Sequence, residues 1–586
     1  MKVIGISGLE NSVPYKKARW PGLDEREYRI AQGMDSAAAL VINGKLAAAA
    51  EQERFNGKRH TGAFPIDALQ FCLAEAGVSI HEIDEIAHGF DFTPYRSHYD
   101  GDEMSADHYN KVLSREALLA QMRRELPSFP LQNVHQVGNH LAHAASAAYT
   151  SGWDECLVVV NDAAGEVEAI SVYAFRDGTL ERIGTVGAGD SIGILYSLVT
   201  LHLGFDFNSD EYKVMSLAPY GDPARHRSFF EQAVQLSPDG SIFIPMLKLN
   251  RTPEERENYK VTRAFLDQHL IVRRAPSQAF NCKHQDVAAA LQECIERAVL
   301  HVCEHYGKQT GLRRLALAGG VGLNSAANSK LRRSPRFDEV YVQPVASNAG
   351  SALGAALYRT SLVQKVPNER LPAPFFGPRY KTGEIEAALH SCNGRIAWKR
   401  YASLAETCAA AAKLIDEGRV IGWCRGRMVF GPHALGNRCI LANPGRPEIR
   451  DRINSMVKSR ETFRPLAPAC TAEEAHRWFE VTPGAEFPYM NSMVNVRPEV
   501  RDQLPAVTSV NGSARLQTVS VRDNPDFHAL LVAVGRVTGR QMVVNSSFNV
   551  EGQPMVNTPE EAIVTFLGTG VEHLFLENYH ATRAVI

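Results

Sequence analysis

The stretch LVVVNDAAGEVEAISVYAFRDGTLERI, residues 157–183, contains the pattern that decides the fold. An apolar strand is followed by a loop of acidic and small residues, then by a second strand, an Asp177-Gly178 dipeptide and a third strand. An Asx-Gly dipeptide between apolar runs is a strong signal for a two-residue hairpin turn, because both turn residues need positive φ. The stretch therefore predicts three consecutive strands, the last two joined by a tight turn.

The same order occurs near the start of the chain. VIGIS (3–7) is an apolar strand, and MDSAAALVINGKLAAAAEQER (34–54) contains a loop with Asp and small residues, a strand, an Asn43-Gly44 dipeptide and another strand. Two such units predict an α/β protein with a duplicated, two-lobed core of the kind shared by actin and sugar kinases. The alternative is coincidence between two generic hairpins.

Helices are predicted between and after these units. Residues 67–76 have apolar positions three and four apart and stop at Gly77, and residues 284–306 form a longer pattern that we expect to end before Gly307. Two glycine turns, GGVGLN (319–324) and SNAGSALGA (347–355), each follow a predicted strand and open a helix. Backbone N–H groups at such turns can approach phosphate, so the pair indicates a nucleotide or acyl-nucleotide site.

Composition excludes several classes of protein. The 586 residues include 63 Lys and Arg against 65 Asp and Glu, a net charge of -2, which excludes a strongly basic nucleic-acid binder. No apolar run is long enough to predict a membrane span. The ten cysteines are scattered without a CxxC pair, which favours reduced thiols in a cytoplasmic protein over disulfides or a zinc site.

A proline-rich stretch divides the chain. Residues 366–382 (VPNERLPAPFFGPRYKT) hold four prolines and show little periodicity, which predicts a linker. We expect an actin-like domain over residues 1–365. A second α/β domain is expected over residues 383–586, where helical and strand patterns alternate.

The first group of residues that could carry chemistry is GNHLAHAASAAY (138–149). His140 and His143 are three residues apart, so a helix would place them on one face, and imidazoles at such spacing can ligate a metal. Asp162 follows a predicted strand, and Asn348 lies in the second glycine turn. The alternative is that one histidine begins the helix and the other packs inside the protein.

The second group is basic. RGRMVFGPHALGNR (425–438) and VKSRETFRPLAP (457–468) interleave cations with glycine and proline, which suits fixed phosphate binding, since Arg offers paired donors and Lys a point charge. NSSFNVEGQP (545–554) adds hydroxyls and amides. A solvated basic face is the alternative. The side chains in question are Arg425, Arg427, His433, Arg438, Lys458, Arg460 and Arg464.

A series of motifs follows the chain in a fixed order. They are EQERFNGKRH, NHLAHAASAAYTSG, NDAAGE, EYKVMSLAPYG, AGGVGLNSAANSKL, PVASNAGSALGAA, FGPHALGNRCIL, INSMVKSRETFRPLAP, ARLQTV and VNSSFNVEGQPMVNTPEEA. In this order, and over nearly the whole chain, they resemble the NodU/CmcH carbamoyltransferase family. That family includes enzymes that carbamoylate antibiotics and nodulation factors.

The resemblance implies two domains and an ATP-dependent reaction. The N-terminal domain would be similar to the tRNA threonylcarbamoyl transferase, an actin-like (ASKHA) fold, and the C-terminal domain to the YrdC synthase. The C-terminal domain would form carbamoyl adenylate from carbamoyl phosphate and ATP. The N-terminal domain would transfer the carbamoyl group to a hydroxyl or amine of a small metabolite, as in natural-product tailoring. A metal, iron in related enzymes, would polarise and position the adenylate.

Functional positions of the family carry over residue by residue. The resemblance implies catalytic roles for Asp35, His140, His143, Asp162 and Lys458. It implies binding of nucleotide, phosphate or the carbamoyl group by Gly319, Gly320, Gly322, Asn324, His433, Arg438, Lys458, Arg464, Arg515, Ser547 and Asn549. It implies metal binding by Asn139, His143, Asp162 and Asn348. Lys213 and Arg54 match motif positions to which we assign no role.

The sequence departs from the family pattern at the metal positions. The family reads HHLAH where this chain begins with Asn139, and it has Asp where this chain has Asn348. Amide oxygens are poorer ligands for late transition metals than imidazole or carboxylate, so Fe, Mg²⁺ or no metal all stay open. Met34 replaces a histidine near the acceptor, so we expect none there, and His433 replaces an arginine of the C-terminal site.

Residues 9–33 separate the first strand from Asp35 and are longer than the link in relatives. They form either a lid that selects the acceptor or a surface excursion without function. Two alternatives to carbamoyl transfer are a diverged relative with another ATP-driven acyl transfer or ligation, and a non-catalytic nucleotide-binding homologue. We expect a small-molecule acceptor and no nucleic-acid or membrane partner, and a homodimer stays open.

Overall fold

The computed structural model describes residues 1–392, 394–458 and 460–584. The chain divides into two compact units. The first comprises Met1–Gln52 and His60–Leu371, and the second comprises Glu53–Arg59 together with the chain from Pro372 onward. Each unit is built on its own β-sheets.

The strands of the first unit form two five-stranded sheets and a short two-stranded ribbon. The strands of the first sheet are β1 (Lys2–Ser7), β2 (Ala37–Ile42), β3 (Lys45–Glu51), β4 (Glu85–His88) and β5 (Val134–Gln136). The strands that follow are β6 (Glu155–Asn161), β7 (Glu168–Arg176), β8 (Thr179–Gly187), β9 (Gln235–Leu236), β10 (Ile242–Phe243), β11 (Arg314–Ala318) and β12 (Glu339–Val342).

The two five-stranded sheets have the same topology. The strand order is β3-β2-β1-β4-β5 in the first sheet and β8-β7-β6-β11-β12 in the second. In each sheet the three strands that are consecutive in sequence pair antiparallel, and the last two strands join them in parallel. The α/β class and the predicted duplication are confirmed, and coincidence between two generic hairpins is excluded.

Both predicted hairpin turns are present. Asn43 and Gly44 have φ values of 51° and 80°, and Asp177 and Gly178 have φ values of 48° and 80°. Positive φ at both central residues is the type I′ geometry, whose twist matches that of the flanking strands. The two dipeptides therefore set the register of β2 with β3 and of β7 with β8.

The α-helices of the chain up to residue 371 flank these sheets, apart from α2, which belongs to the second unit. They are α1 (Ser12–Arg19), α2 (Glu53–Asn56), α3 (Ile66–Ala76), α4 (Glu103–His108), α5 (Arg115–Glu125), α6 (Asn139–Ala148), α7 (Ile192–His202), α8 (Glu211–Leu217), α9 (Arg227–Ala233), α10 (Pro253–Asn258), α11 (Lys260–His269), α12 (Cys282–Thr310), α13 (Ser325–Arg333) and α14 (Asn348–Ser361). Among the described residues, no helix combines the length and apolarity needed to cross a bilayer.

One helix boundary was predicted correctly and one was wrong. Helix α3 ends at Gly77, which adopts the left-handed conformation with φ 65°. Helix α12 does not stop before Gly307 but continues to Thr310 and ends at Gly311, with φ 74°. Gly307 lies inside this helix because the ring of Phe337 packs against it, 3.1 Å from where a Cβ would stand.

Helix α14 packs against β1 and α6 at very short range. A Cβ added to Gly5 of β1 would lie 1.7 Å from the carbonyl oxygen of Ala352, and a Cβ added to Gly354 would lie 1.7 Å from the carbonyl oxygen of Ala142. Only glycine permits such an approach between backbones. As a result α6 and α14 lie side by side, and their first residues are in hydrogen-bond contact.

The segment of residues 9–33 is anchored to the first unit. It contains α1, and the buried Nζ of Lys16 donates hydrogen bonds to the carbonyl oxygens of Ile30 and Glu257, the latter at 2.7 Å. A buried ammonium held by backbone oxygens fixes the segment in place. Its role in selecting an acceptor stays a prediction.

The second unit contains the remaining strands and helices, with α2. The strands are β13 (Ile396–Arg400), β14 (Ile421–Cys424), β15 (Arg438–Ala442), β16 (Ala467–Thr471), β17 (Met493–Asn495), β18 (Ser513–Arg515), β19 (Gln517–Val519), β20 (Met542–Ser547), β21 (His573–Leu576) and β22 (Tyr579–Arg583). The helices are α15 (Thr382–His390), α16 (Leu404–Asp416), α17 (Glu448–Arg452), α18 (Ala475–Trp478), α19 (Pro525–Thr538) and α20 (Pro559–Gly568).

The core of the second unit is a mixed eight-stranded sheet in the order β13-β22-β21-β14-β15-β20-β16-β19. One face is covered by α16 and α19, whose Ala411 and Leu530 are buried against it. The other face is covered by α15 and α20 through Leu389 and Phe566. The unit is thus a layered α/β structure, and its likeness to the YrdC synthase stays a prediction.

The contact at Gly354 gives a test of the fold. Gly354→Ala would place a methyl group against the carbonyl oxygen of Ala142, so we expect it to lower the free energy of unfolding by about 2 kcal/mol or more. Helix propensity alone would favour Ala and raise the free energy of unfolding by about 1 kcal/mol, so the sign of the measured change distinguishes the steric clash from helix propensity. Thermal denaturation measures the change. Gly101→Ala is the control, because no atom lies within 4 Å of its added Cβ. Equal midpoints for the two variants would contradict the close contact.

Candidate functional site

A polar cluster in the first unit lies where three elements begin or end. Strand β6 ends one residue before Asp162, helix α6 begins at Asn139, and helix α14 begins at Asn348. The N-terminus of each helix carries partial positive charge and backbone N–H groups without intrahelical partners. The cluster therefore combines one carboxylate with two positive helix ends.

His143 lies at the centre of this cluster. Its Nε2 donates a hydrogen bond to Oδ1 of Asn348 at 3.2 Å and lies 3.5 Å from Oδ2 of Asp162. The imidazole is completely buried. The structure thus brings together three of the residues that the resemblance assigns to a metal.

The two asparagines are hydrogen-bonded to each other. Nδ2 of Asn139 donates to Oδ1 of Asn348 and to the carbonyl oxygen of Gly89, both at 3.1 Å. Nδ2 of Asn348 donates to the carbonyl oxygen of Met34 at 2.6 Å. Reversing the Asn139 amide would set its oxygen against two other oxygens, so its partners decide the orientation. Asn139 therefore presents N–H groups to Asn348 and not a lone pair.

Asp162 is tied to the first glycine turn. Its Oδ1 accepts hydrogen bonds from the backbone N–H groups of Ala163 at 2.8 Å and Gly320 at 3.2 Å. Burial by itself would raise the pKa of the Asp162 carboxyl, but the hydrogen bond and charge of His143 outweigh it and hold that pKa below its ordinary value. The group is therefore an ionised carboxylate at neutral pH.

The glycine turn itself is closely packed. Gly319 has φ 85°, and an added Cβ would lie 2.4 Å from the carbonyl oxygen of Asn161, so only glycine fits. The N–H of Gly322 donates to the carbonyl oxygen of Gly319 at 2.8 Å. Asn324 caps α13 through its Oδ1, and its amide exchanges two hydrogen bonds with Gln292. Both ends of the Asn324 amide are therefore engaged within the fold.

His140 lies on the same helix as His143 and packs beside Ser171 and the loop residue Gly165. Its Nδ1 is hydrogen-bonded to the hydroxyl of Ser171 at 2.8 Å. Burial lowers the pKa of His140 to about 3, so the ring is neutral at physiological pH. An added Cβ at Gly165 would lie 3.1 Å from its Nε2. Within the described residues, no hydrogen bond joins His140 to the His143 group.

Asp35 and His60 form a hydrogen-bonded pair, with 2.7 Å between Oδ1 and Nδ1. Burial would raise the pKa of the Asp35 carboxyl, but the charge and hydrogen bond of His60 and the hydroxyl of Ser347 hold it below the ordinary value. The expectation that no histidine lies here, based on Met34, was wrong. The EQERFNGKRH motif supplies His60. The backbone φ of His60 is 53°, a left-handed conformation that is uncommon outside glycine and is often found at functional sites.

Glu166 is a buried carboxyl that the sequence analysis did not single out. It accepts hydrogen bonds from the backbone N–H groups of Asp91 at 2.7 Å and Asn139 at 2.8 Å, so it caps the start of α6. Burial raises the pKa of Glu166 to about 7. The sequence signal that could have identified Glu166 is its position at the end of the NDAAGE motif.

The end of segment 9–33 reaches this region. Nε2 of Gln32 donates to the carbonyl oxygen of Gly165 at 2.7 Å, within the loop that carries Asp162 and Glu166. The charge of Arg29 contributes to the lowered pKa of Asp35. The segment therefore borders the cluster, in addition to being anchored by Lys16.

The donor set of the cluster fits a transition metal poorly. Of the four residues that the resemblance assigns to a metal, Asp162 is a carboxylate, His143 is an imidazole and the other two are amides. Nε2 of His143 carries the proton donated to Asn348. Asn139 directs its N–H groups to Asn348 and Gly89, so the atom it has left is an amide oxygen without a donor among the described residues. Late transition metals favour nitrogen and sulfur ligands with available lone pairs. The cluster is therefore a set of hydrogen-bonded protein groups and not a preformed transition-metal site.

In the second unit, Lys458 holds the turn formed by SSFN (546–549). Its Nζ donates to the backbone oxygens of Ser547 and Asn549, the latter at 2.8 Å, and to Oδ1 of Asn549 at 2.6 Å. The hydroxyl of Ser547 donates to the same Oδ1 at 2.8 Å. The structure thus joins three of the residues predicted to bind phosphate or the carbamoyl group.

Further cations lie close to Lys458. Burial lowers the pKa of the Lys458 ammonium well below its usual range, and the charges of Arg460, Arg464 and Arg59 lower it further. The acidic Glu461 lies 3.6 Å from Arg464. Like charges brought together away from water raise the free energy of the folded protein, and a bound anion relieves this cost. We name Lys458, Ser547, Asn549 and the three arginines the cationic group.

The segment Glu53–Arg59 supplies two arginines to the second unit. Nη2 of Arg54 donates to the carbonyl oxygen of Gly431 at 3.1 Å, and Nη1 pairs with Glu53 at 2.5 Å. Arg54 therefore supports the loop that carries His433. Arg59 belongs to the cationic group described above.

His433 is a neutral member of this unit at physiological pH. Burial lowers the pKa of His433 to about 3, and the charge of Arg515 acts in the same direction. The imidazole can therefore donate a hydrogen bond to a ligand but contributes no positive charge. The arginine found at this position in the family would carry a permanent charge.

Arg438, to which the resemblance assigns phosphate binding, is held by backbone oxygens, and its role in binding phosphate stays a prediction. It is fully buried on β15, and its Nη1 donates to the backbone oxygens of Arg425 at 3.2 Å, Gly426 at 3.1 Å and Asn437 at 2.8 Å. Its guanidinium carbon lies 4.1 Å from the ring centroid of Tyr380. These contacts occupy the guanidinium within the fold, so it shapes the loop before His433.

Comparison with known proteins places both parts of the chain. Residues 30–357 match the family model for the carbamoyltransferase N-terminus, and residues 412–583 match the model for the carbamoyltransferase C-terminus. Nodulation protein NolNO of Sinorhizobium fredii is 39% identical over 555 residues, which is 93% of this chain and 78% of that protein. Nodulation protein NolO of Bradyrhizobium diazoefficiens is 39% identical over 442 residues, 75% of this chain and 77% of that protein.

Solved structures are more distant. HypF of T. kodakarensis covers 63% of this chain and 49% of its own, with 14% identity and a TM-score of 0.31. The duplication therefore rests on the strand order of the two sheets.

The raised pKa of Glu166 predicts a pH dependence of stability. The folded-state pKa of about 7 exceeds the ordinary 4.5, so the contribution of this group is complete below about pH 4.5 and is lost as the pH rises to 7. Between pH 5 and pH 7.5 we expect a loss of about 2 kcal/mol, which Glu166→Gln should remove. Urea unfolding at pH 5 and pH 7.5 measures it. Glu181→Gln, on the exposed part of β8, is the control. An unchanged pH dependence in Glu166→Gln would contradict the assignment.

Proposed function

This chain belongs to the carbamoyltransferase family, and on that premise we propose that it transfers a carbamoyl group in two ATP-dependent steps through carbamoyl adenylate. The second unit makes the adenylate from carbamoyl phosphate and ATP. The first unit transfers its carbamoyl group to an acceptor. The two steps need different chemistry, and each unit supplies the groups for its own step.

The first step activates the carbamoyl group. Water takes the phosphoryl group from carbamoyl phosphate, which releases phosphate and leaves carbamate. An oxygen of carbamate then attacks the α-phosphorus of ATP. The bond between the α-phosphorus and the bridging oxygen breaks, pyrophosphate leaves, and carbamoyl adenylate remains.

The cationic group around Lys458 is the observation that carries this proposal. Carbamoyl phosphate, carbamate, ATP and their products are all anions, and phosphoryl and nucleotidyl transfer depend on fixed positive charge near the phosphate oxygens. Arg59, Arg460 and Arg464 supply that charge next to Lys458. The hydroxyl of Ser547 and the amide of Asn549 suit a small polar group such as carbamate.

The second step uses the residues of the first unit. The acceptor hydroxyl or amine attacks the carbamoyl carbon, its proton passes to His60, which Asp35 orients, and AMP leaves with the electrons of the broken C–O bond. The positive ends of α6 and α14 favour the negative charge that develops on the carbamoyl oxygen. The turn that begins at Gly319 lets the phosphate of AMP approach the backbone closely, because glycine has no Cβ in the way.

The acceptor is a small metabolite, as the family resemblance implies, and the reaction belongs to natural-product tailoring. All ten cysteines are free thiols, which supports a reducing compartment and therefore the cytoplasm, where ATP is available.

The first step is tested by following pyrophosphate release from ATP in the presence of carbamoyl phosphate. Lys458→Met removes the ammonium that holds the SSFN turn, so we expect release to fall about 100-fold. Lys413→Met, exposed on α16 of the same unit, is the control and should keep the wild-type rate. Thermal denaturation shows whether both variants are folded. Wild-type protein that forms no adenylate, or a fully active Lys458→Met, would contradict the proposal.

The second step is tested separately with Asp35→Asn. This variant keeps the cationic group, so pyrophosphate release should not change, whereas AMP release from carbamoyl adenylate should slow by about 100-fold or more, because His60 loses its orienting carboxylate. The exposed Asp100→Asn is the control in the same unit. Equal loss in both steps would indicate general damage, and unchanged AMP release would remove the Asp35–His60 pair from the mechanism.

A further inference from the structure

The cluster at the start of α6 and α14 contains a chain of hydrogen bonds that engages Nε2 of His143 and Oδ1 of Asn348. Asn139 donates to Gly89 and to Asn348, His143 donates to Asn348, and Asn348 donates to Met34. Oδ1 of Asn348 thus accepts two hydrogen bonds, one from each neighbour. A metal bound to this oxygen and to Nε2 of His143 would need both of those bonds to break.

The N-termini of α6 and α14 also disfavour a cation. Each contributes about half a positive charge at the cluster, which repels a metal ion. The nearby carboxyl of Glu166 accepts hydrogen bonds from the backbone N–H groups of Asp91 and Asn139 and is engaged by them.

Two buried acceptor atoms in the cluster are poorly satisfied by the described residues. Oδ1 of Asn139 has no hydrogen-bond donor among them, and Oδ2 of Asp162 has none closer than Nε2 of His143 at 3.5 Å; the two side chains are 0% and 7% exposed. A buried acceptor without a donor costs free energy that a ligand with N–H groups recovers. A carbamoyl group carries an NH₂ with two such hydrogens.

We propose that the hydrogen-bonded amides of Asn139 and Asn348 keep transition metals out of this cluster, and that it binds the uncharged carbamoyl group directly. The part about the carbamoyl group rests on the proposed function. The part about metals does not, because metal retention can be measured without turnover.

The experiment compares the intact wild-type chain with Asn139→His/Asn348→Asp, which introduces an imidazole and a carboxylate. Each protein is incubated anaerobically with Fe²⁺, Mn²⁺ or Zn²⁺, desalted and analysed for metal by mass spectrometry. We expect the wild type to retain none stoichiometrically. The double variant should retain about one equivalent and bind it about tenfold or more tightly than the wild type. His143→Ala added to the double variant should abolish retention, which locates the metal.

Two further measurements keep the test decisive. Asn348→Asp alone adds only a carboxylate, so it should bind metal with an affinity between those of the wild type and the double variant. It replaces the double variant in the comparison if the latter does not fold. Wild-type AMP release should be unaffected by o-phenanthroline, which chelates transition metals and leaves Mg²⁺ with ATP. Wild-type protein that retains a metal and loses it on His143→Ala would overturn the proposal, and so would folded variants that gain none. Failure of the proposed function would appear instead as absent adenylate with these metal contents unchanged.

Discussion

Backbone contact between α6 and α14, possible because Gly354 has no side chain, determines where the first residue of each helix lies. The carbonyl oxygen of Ala142 occupies the space in which any other residue would carry its Cβ. A similar contact between Gly5 and Ala352 holds α14 against β1. The polar cluster therefore depends on close packing of backbones behind it, and its two helix ends cannot separate without loss of that packing.

The candidate sites of the two units differ in electrostatic character. In the first unit the carboxylate of Asp162 lies with two amides beside the positive ends of two helices. In the second unit, arginines are placed around a buried ammonium. The net charge of -2 conceals this contrast, since it sums over the whole chain. In the proposed mechanism the adenylate is made among cations and used at a cluster with fewer of them, so its phosphate is held less strongly in the place where it must finally leave.

Features that depend on a few adjacent residues could be predicted from the sequence. Both Asx-Gly turns, the end of α3 and the repeated strand pattern follow from local conformational preference and periodicity. The end of α12 was missed because Gly307 looks like a helix stop in isolation, whereas its role is to admit the ring of Phe337 from a distant segment. Local patterns do not contain that contact.

The candidate site shows the same division. The motifs identified Asn139, His143, Asp162 and Asn348 as one group, and the structure brings them together. The direction of each amide, which decides whether a lone pair or a hydrogen faces the cluster, depends on Gly89 and Met34 and is invisible in the motif. Pairing of Asp35 with His60 and the backbone contacts of Arg438 likewise join residues far apart in the chain or satisfy a side chain with main-chain oxygens.

The chain leaves the first unit at Glu53, contributes Arg54 and Arg59 to the second, and returns at His60. The second unit is therefore not a continuous stretch of sequence. A gene fragment that began at Pro372 would encode its whole eight-stranded sheet but lack two of its arginines. A recombinant that took only its C-terminal half from a relative would combine that relative's eight-stranded sheet with residues 53–59 of this chain, so its second unit would be assembled from two proteins.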